Sequence, residues 1–324
     1  MRIGIIGCGH IAEKMSRTVH MAGHTLYAVA SRSQEKADRF ASRFEAEHAY
    51  GSYERLAEDP HVDLVYVAVP HSFHAQVAGM CLDHGRHVLV EKAFTSNASE
   101  AEALVRKAER QGTLLAEAIW TRYEPIRGRI DQAVKGGEIG QVCHAEATYF
   151  AYLARKPRLV EPSLAGGSLL DIGIYALNFL LMNLKGEVTE IQSMARLSDK
   201  GVDELSSTSL RFSSGAIGSM QTGYTAVSDR SCQIAGSDGW IWVDNVNNPQ
   251  SVKVYDRDRK YVRDIPVPPQ MTGFEYELDS CCAAIREGRT ECPEMPHSEI
   301  LRVMRLMDAM RAQWGMKYPW EQNT

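Results

Sequence analysis

The sequence predicts an α/β protein in which a doubly wound parallel sheet is followed by an α+β region whose sheet is mostly antiparallel and open-faced. Three observations carry this. An apolar run meets a glycine-rich turn at the N-terminus, short β-branched runs alternate with helical stretches up to about residue 120, and after Trp120 the patterning becomes strand-rich.

The chain opens Met1-Arg2-Ile3-Gly4-Ile5-Ile6 and runs into Gly7-Cys8-Gly9-His10-Ile11-Ala12. Gly7 permits a tight turn after the strand, Gly9 removes the Cβ that would block a pyrophosphate, and Ala12 keeps the next helix close to the sheet. The amino end of that helix then faces the phosphates. Gly7, Gly9, His10, Ile11 and Ala12 are therefore candidate dinucleotide contacts in a Rossmann-type sheet. Further strands are expected at 25–30, 64–69, 87–90 and 113–116. Residues 33–44 are rich in helix formers, and Asn97 with Glu100 supplies a cap and an acid before a helix over 101–111, which Gly112 ends.

A chain of 324 residues suggests two domains, read here as 1–120 and 121–324. In the second, strands are expected at 142–153, 187–197, 204–212, 216–224, 231–235, 239–243, 251–256 and 260–265, with closing helices at 274–286 and 298–314. Ser213-Ser214-Gly215 signals a hairpin. A net charge of −5 without a basic block argues against a nucleic-acid partner. The apolar stretch 169–184 carries Asp171 and reads as a buried helix rather than a membrane span. No secretory leader pattern opens the chain, and seven cysteines without a Cys-x-x-Cys read as reduced thiols, so a cytoplasmic protein is expected.

Three constellations bear on chemistry. The second strand ends Val29-Ala30-Ser31-Arg32-Ser33, with no acid before Glu35 to hold ribose hydroxyls. Arg32 offers a planar fork for a 2′-phosphate, with Ser31 and Ser33 beside it, which favours NADP and leaves NAD as the alternative. At the end of the strand 87–90, Glu91-Lys92 puts an ammonium where a nicotinamide would lie. In Gly166-Gly167-Ser168-Leu169-Leu170-Asp171-Ile172-Gly173-Ile174-Tyr175, Asp171 and Tyr175 are four apart and would share one helix face. A tyrosine of ordinary pKa near 10 is a poor base at neutral pH, but a nearby ammonium lowers that value. Lys92 is the candidate ammonium. His71 and His74 lack a cysteine or acidic partner at ligand spacing, so no metal is expected.

Together with Val69-Pro70-His71-Ser72-Phe73-His74, Glu117-Ala118-Ile119-Trp120-Thr121-Arg122 and Gly273-Phe274-Glu275-Tyr276, these segments resemble the Gfo/Idh/MocA oxidoreductases over nearly the whole chain. Within that family the likeness is to the branch of the dimeric dihydrodiol dehydrogenases and glucose-fructose oxidoreductase. The resemblance implies that Lys92 and Tyr175 are the catalytic pair with Asp171 assisting, either by orienting Lys92 or by accepting a substrate hydroxyl. It implies that Arg32 and His71 lie near the cofactor, with Ser31, His74 and Glu91 as further candidates there, and that Trp120 and Arg122 border the substrate, with Phe150 and Arg158 as further candidates. Ala93 stands where the family often has proline. Tyr175 stands where inositol dehydrogenases have histidine, which points to the tyrosine branch.

The reaction so implied is reversible hydride transfer between a nicotinamide and a secondary alcohol carbon, with Tyr175 relaying the hydroxyl proton. Trp120, Tyr123, Phe150, Tyr152 and the cations of 155–165 suit a sugar, a polyol or a cyclic diol. The alternative is a cofactor-binding redox sensor without turnover. Strands 208–212 and 216–224 carry apolar residues on both faces, so a homodimer that covers the open sheet is expected.

Overall fold

The structure, a computed structural model, describes residues 1–321. Its N-terminal part alternates strand and helix: β1 Arg2–Ile6, α1 His10–Met21, β2 Thr25–Ala30, α2 Gln34–Phe44, β3 His48–Tyr50, α3 Tyr53–Glu58, β4 Leu64–Val67, α4 His74–Asp83, β5 His87–Glu91, α5 Ala98–Gln111 and β6 Leu115–Ala118. The six strands pair in parallel in the order β3-β2-β1-β4-β5-β6. That is the doubly wound order, and its switch point lies between β1 and β4, whose carboxyl ends are where such sheets take ligands. β4 is buried at every position, as a central strand covered on both faces must be.

Local signals set the boundaries. Ser33 accepts from the Lys36 amide to start α2, Asn97 accepts from Glu100 to start α5, and Gly112 ends α5 in the left-handed conformation at φ 65°. The strand expected at 113–116 begins instead at Leu115, because the Thr113 amide is still bonded back to Ala108 O of the helix. Strand β3 was not foreseen: three residues of which His48 is exposed give no usable period.

The second half contains α6 Pro125–Lys135, β7 Val142–Phe150, the short α7 Pro157–Val160, and α8 Ile174–Asn183 preceded by a π-helical turn, Leu169–Gly173. Strands β8 Val188–Leu197, β9 Asp203–Phe212, β10 Ile217–Gly223, β11 Cys232–Gly236, β12 Gly239–Val243, β13 Val252–Asp256 and β14 Tyr261–Asp264 follow, then α9 Glu275–Arg286 and α10 His297–Gln313. The eight strands order as β14-β13-β12-β11-β7-β10-β9-β8, antiparallel except for β7 with β10. One face, with Ala145, Ala147, Leu210, Met220, Ile234 and Ile241, is buried, and α8 packs on β7 and β10. The apolar helical stretch 162–183 is buried within the protein rather than presented as a span.

The chain forms two compact units, Met1–Tyr123 with Gln270–Met304, and Glu124–Pro269 with Arg305 onward. A single cut at 120 misses the return of 270–304, whose reason is visible at the sheet edge. β6 is an edge strand, and the Leu115 amide donates to Thr290 O at 3.0 Å while the His297 ring lies 2.9 Å from Leu115 O.

Candidate functional site

At the end of β1 the chain turns through Gly7 at φ +104°, where an added Cβ would sit 2.3 Å from Ala68 O. Only glycine fits that turn. Gly9 precedes α1 in extended conformation with no side-chain cap, and a Cβ there would meet nothing within 4 Å. The first amides of α1 thus lack a protein side-chain cap and face open space, which fits a pyrophosphate. Gly9 and His10 are exposed beside it, Ile11 is half-buried, and Ala12 is fully buried.

Beyond β2 lies a cavity of about 320 Å³ lined by Arg32, Tyr53, Val69, Pro70, Phe73 and Met80 among others. The Arg32 guanidinium stands 5.9 Å from the Phe73 ring centroid. Burial pushes the Tyr53 phenol above its ordinary value, and the Arg32 charge opposes that shift. Ser31 is buried with its amide donating to Tyr50 O. Glu35, the first acid after the strand, is paired with Arg39 one helical turn on. The acid that lines the cavity, Glu54, lies 2.8 Å from the His84 ring through Oε1. An apolar slot with a cation at its mouth suits an adenosine that carries a further phosphate. Tyr53 and Phe73 were absent from the sequence-derived set: Tyr53 carries no motif, and Phe73 entered only as part of the run 69–74.

The loop after β5 is held at four points. The Lys92 amide donates to Glu91 Oε2 at 3.2 Å, and Tyr66 Oη donates to Glu91 Oε1. His71 Nε2 lies 3.2 Å from Lys92 O, His74 Nδ1 lies 2.8 Å from Ala93 O, and the Phe94 amide donates to Glu117 Oε1 at 3.0 Å. The Lys92–Ala93 peptide is cis. His74 also has Nε2 2.8 Å from Val69 O; burial lowers its pKa, and its bonds to backbone carbonyls oppose that shift. Both histidines, read from sequence as cofactor-edge residues, thus direct ring nitrogens at backbone carbonyls of this loop. Half-buried Lys92 is presented on a rigid stretch of backbone.

Trp120 is buried and stacks on Phe274, with centroids 4.8 Å apart and planes at 22°. Gly273, at φ +88°, lets the loop pass over it, because a Cβ there would lie 2.5 Å from the indole. The Glu275 carboxylate gathers the amides of Met271, Thr272 and Gly273 at 2.6, 3.0 and 2.7 Å. Burial works to raise its pKa, but these donors hold it below the usual range. Arg122, expected at the substrate, is instead turned inward: its side chain is 7% exposed and its guanidinium pairs with Glu299 at 2.8 Å. The physical reason is desolvation, since a buried guanidinium needs a carboxylate partner.

In the second unit Asp171 is buried and bound bidentately by Arg158, Nε to Oδ1 at 3.1 Å and Nη2 to Oδ2 at 3.0 Å. The i,i+4 reading of Asp171 and Tyr175 assumed α geometry. Asp171 lies in the π turn, where more residues make up each turn, and the turn is anchored by the Leu169 amide on Asp203 Oδ2 at 2.7 Å. Tyr175 opens α8, its ring 5.8 Å from that of Tyr149, over which the Arg230 guanidinium sits at 4.9 Å. Phe150, half-buried at the end of β7, donates its amide to Ser228 Oγ at 3.3 Å.

Residues 1–118 match the family model described as an oxidoreductase family with an NAD-binding Rossmann fold, and residues 128–242 match the GFO/IDH/MocA C-terminal domain. A trans-1,2-dihydrobenzene-1,2-diol dehydrogenase of Danio rerio is 34% identical over 331 residues, covering 98% of both chains. The chain belongs to the Gfo/Idh/MocA oxidoreductase family. A D-xylose 1-dehydrogenase (NADP(+)) of Hypocrea jecorina is 33% identical to this oxidoreductase, over 98% of this chain and 93% of that one. A 3-ketoreductase from Actinomadura kijaniata, solved in complex with NADP and TDP-benzene, superimposes with a TM-score of 0.88 at 26% identity, over 96% and 97% of the two chains. In this Gfo/Idh/MocA oxidoreductase residues 1–118 are accordingly the NAD-binding Rossmann fold.

Proposed function

We propose that this oxidoreductase interconverts a secondary alcohol and its carbonyl on a sugar, polyol or trans-dihydrodiol, and that it prefers NADP to NAD. The observation that carries the reading is the fourfold anchoring of 92–94 by Glu91, His71, His74 and Glu117 at the carboxyl end of β5. A redox sensor that only bound the cofactor would have no use for a lysine so fixed. The names of the relatives supply the substrate class, and the Arg32 guanidinium at the cavity beyond β2 supplies the cofactor preference.

The bound nicotinamide supplies or accepts the hydride. Tyr175 moves the hydroxyl proton, as general base in oxidation and general acid in reduction. Lys92, held by its backbone, donates a hydrogen bond to the reacting oxygen. Asp171, paired with Arg158, orients the polar groups around the reacting carbon. Trp120, braced by Phe274, offers an aromatic wall to the apolar face of a ring. A spectrophotometric screen of sugars, polyols and trans-dihydrodiols with NADP and NAD in parallel tests this. Turnover of at least one class with NADP ahead of NAD is expected, and cofactor binding without turnover of any would return the redox-sensor reading.

The same reading includes a homodimer. The uncovered face of the eight-stranded sheet carries Met194, 73% exposed, and Ile217, 43% exposed, in register with Ser207 and Arg211 of β9. Trp240 and Tyr255 stack on the same face at 4.7 Å. Two-fold packing of this face on itself would remove that apolar surface from water. Light scattering at micromolar concentration is expected to give twice the 36.1 kDa chain mass, and the mass of one chain throughout would exclude it.

A further inference from the structure

Glu117 ends up in an unusual position. It lies on β6, is 1% exposed, and is surrounded by the loop that presents Lys92. Oε1 accepts the Phe94 amide at 3.0 Å, while buried Oε2 has no hydrogen-bond partner among the described residues. A buried carboxylate ordinarily collects two or three donors or a directly paired cation. One amide on one oxygen is too little to hold an ionised carboxylate out of water, which favours the neutral acid. Its own carbonyl accepts from Tyr123 Oη at 2.9 Å, so the residue is fixed at both ends.

We infer that Glu117 is a positioning residue which, as a neutral acid, clamps the Phe94 amide and thereby holds the backbone that carries Lys92. This rests on the proposed role of Lys92. The groups facing Glu117 act in both directions. Burial raises its pKa most, and Glu91 raises it further; Arg122, itself paired with Glu299, and Lys92 lower it, as does the Phe94 amide. Tyr123, the remaining neighbour, has its own phenol raised by burial and by Cys292, Cys281 and Glu277. Burial prevails and pushes Glu117 up to about 8. Ionisation would place a charge beside Phe94 without donors enough to hold it, and the loop would loosen.

The sign of the pH effect follows. An acid whose folded pKa is raised binds its proton more tightly in the folded state, so its contribution to stability falls as pH rises from the unfolded value of 4.5 through about 8. Glu117→Gln keeps a carbonyl oxygen for the Phe94 amide and cannot ionise. Glu117→Ala removes the clamp.

The experiment compares both variants with the wild type in two readouts. At neutral pH, Glu117→Ala should lose up to about 10²-fold in kcat with a smaller change in KM, as a misplaced reacting group does. Glu117→Gln should recover most of that loss. The wild-type kcat/KM should fall as pH rises through about 8, and the Gln variant should lack that limb. In melting, which needs no substrate, the Gln variant should gain on the wild type progressively between pH 5 and pH 8, whether or not Lys92 has the role proposed for it. A melting difference that does not change with pH overturns the neutral acid. Equal activity of the Ala variant and the wild type overturns the clamp. If the Ala variant fails to fold, a Gln variant with an unaltered pH limb overturns it instead.

Discussion

Replacing Tyr175 with phenylalanine is expected to cut kcat by about 10²-fold or more while leaving cofactor binding unchanged, because the ring stays and only the proton carrier goes. The structure makes this a clean substitution. Tyr175 is 8% exposed and its ring rests 5.8 Å from that of Tyr149, so phenylalanine keeps the same packing surface on α8. The residues proposed to bind the cofactor belong to the other unit, in the turn at Gly7 and Gly9 and the cavity beside Arg32. Single-turnover kinetics at saturating cofactor, with fluorescence titration of NADPH alongside, separate the two quantities. Wild-type turnover in the variant would remove Tyr175 from the chemistry, and loss of cofactor affinity would show that the substitution had disturbed more than a proton.

The contrast between Tyr175 and its expected assistant shows what a sequence can and cannot reveal. The run from Gly166 to Tyr175 announces a helix start, and one is there. What it does not announce is the π turn, because a single extra residue per turn leaves no trace in a hydrophobic period already saturated by Leu169, Leu170, Ile172 and Ile174. Nor does it announce that Asp171 is held by Arg158, since the pair forms across a loop rather than along a helix face. The dinucleotide turn was legible because its chemistry is local: glycines at fixed offsets between a strand and a helix. Most strands were legible through β-branched runs, and two helix starts through Ser33 and Asn97. Glu117 and Arg122 were visible as a motif but not in their work. Burial decides that work, and burial depends on α9 and α10 returning to the first unit over a gap of more than a hundred residues.

Arg32→Ala is expected to weaken NADPH by roughly ten- to a hundred-fold and NADH far less, since only the former carries a phosphate that loses a charge-assisted partner. The local geometry explains why the effect should be selective rather than general. Arg32 is exposed at the end of β2 with its guanidinium 5.9 Å from the Phe73 ring centroid, so its charge stands at the edge of a lining that is otherwise largely apolar. The apolar lining of Val69, Pro70, Phe73 and Met80 is untouched by the substitution, and so is the open turn at Gly9. Glu35 cannot take over as a ribose-binding acid while Arg39 pairs with it. Charge also predicts the salt response: wild-type affinity for NADPH should fall with ionic strength more steeply than affinity for NADH, and the difference should shrink in the variant. Fluorescence titration of both cofactors at two salt concentrations reads all of this at once. Equal weakening of the two would mean that Arg32 shapes the adenosine slot and leaves the choice between NADP and NAD to other residues.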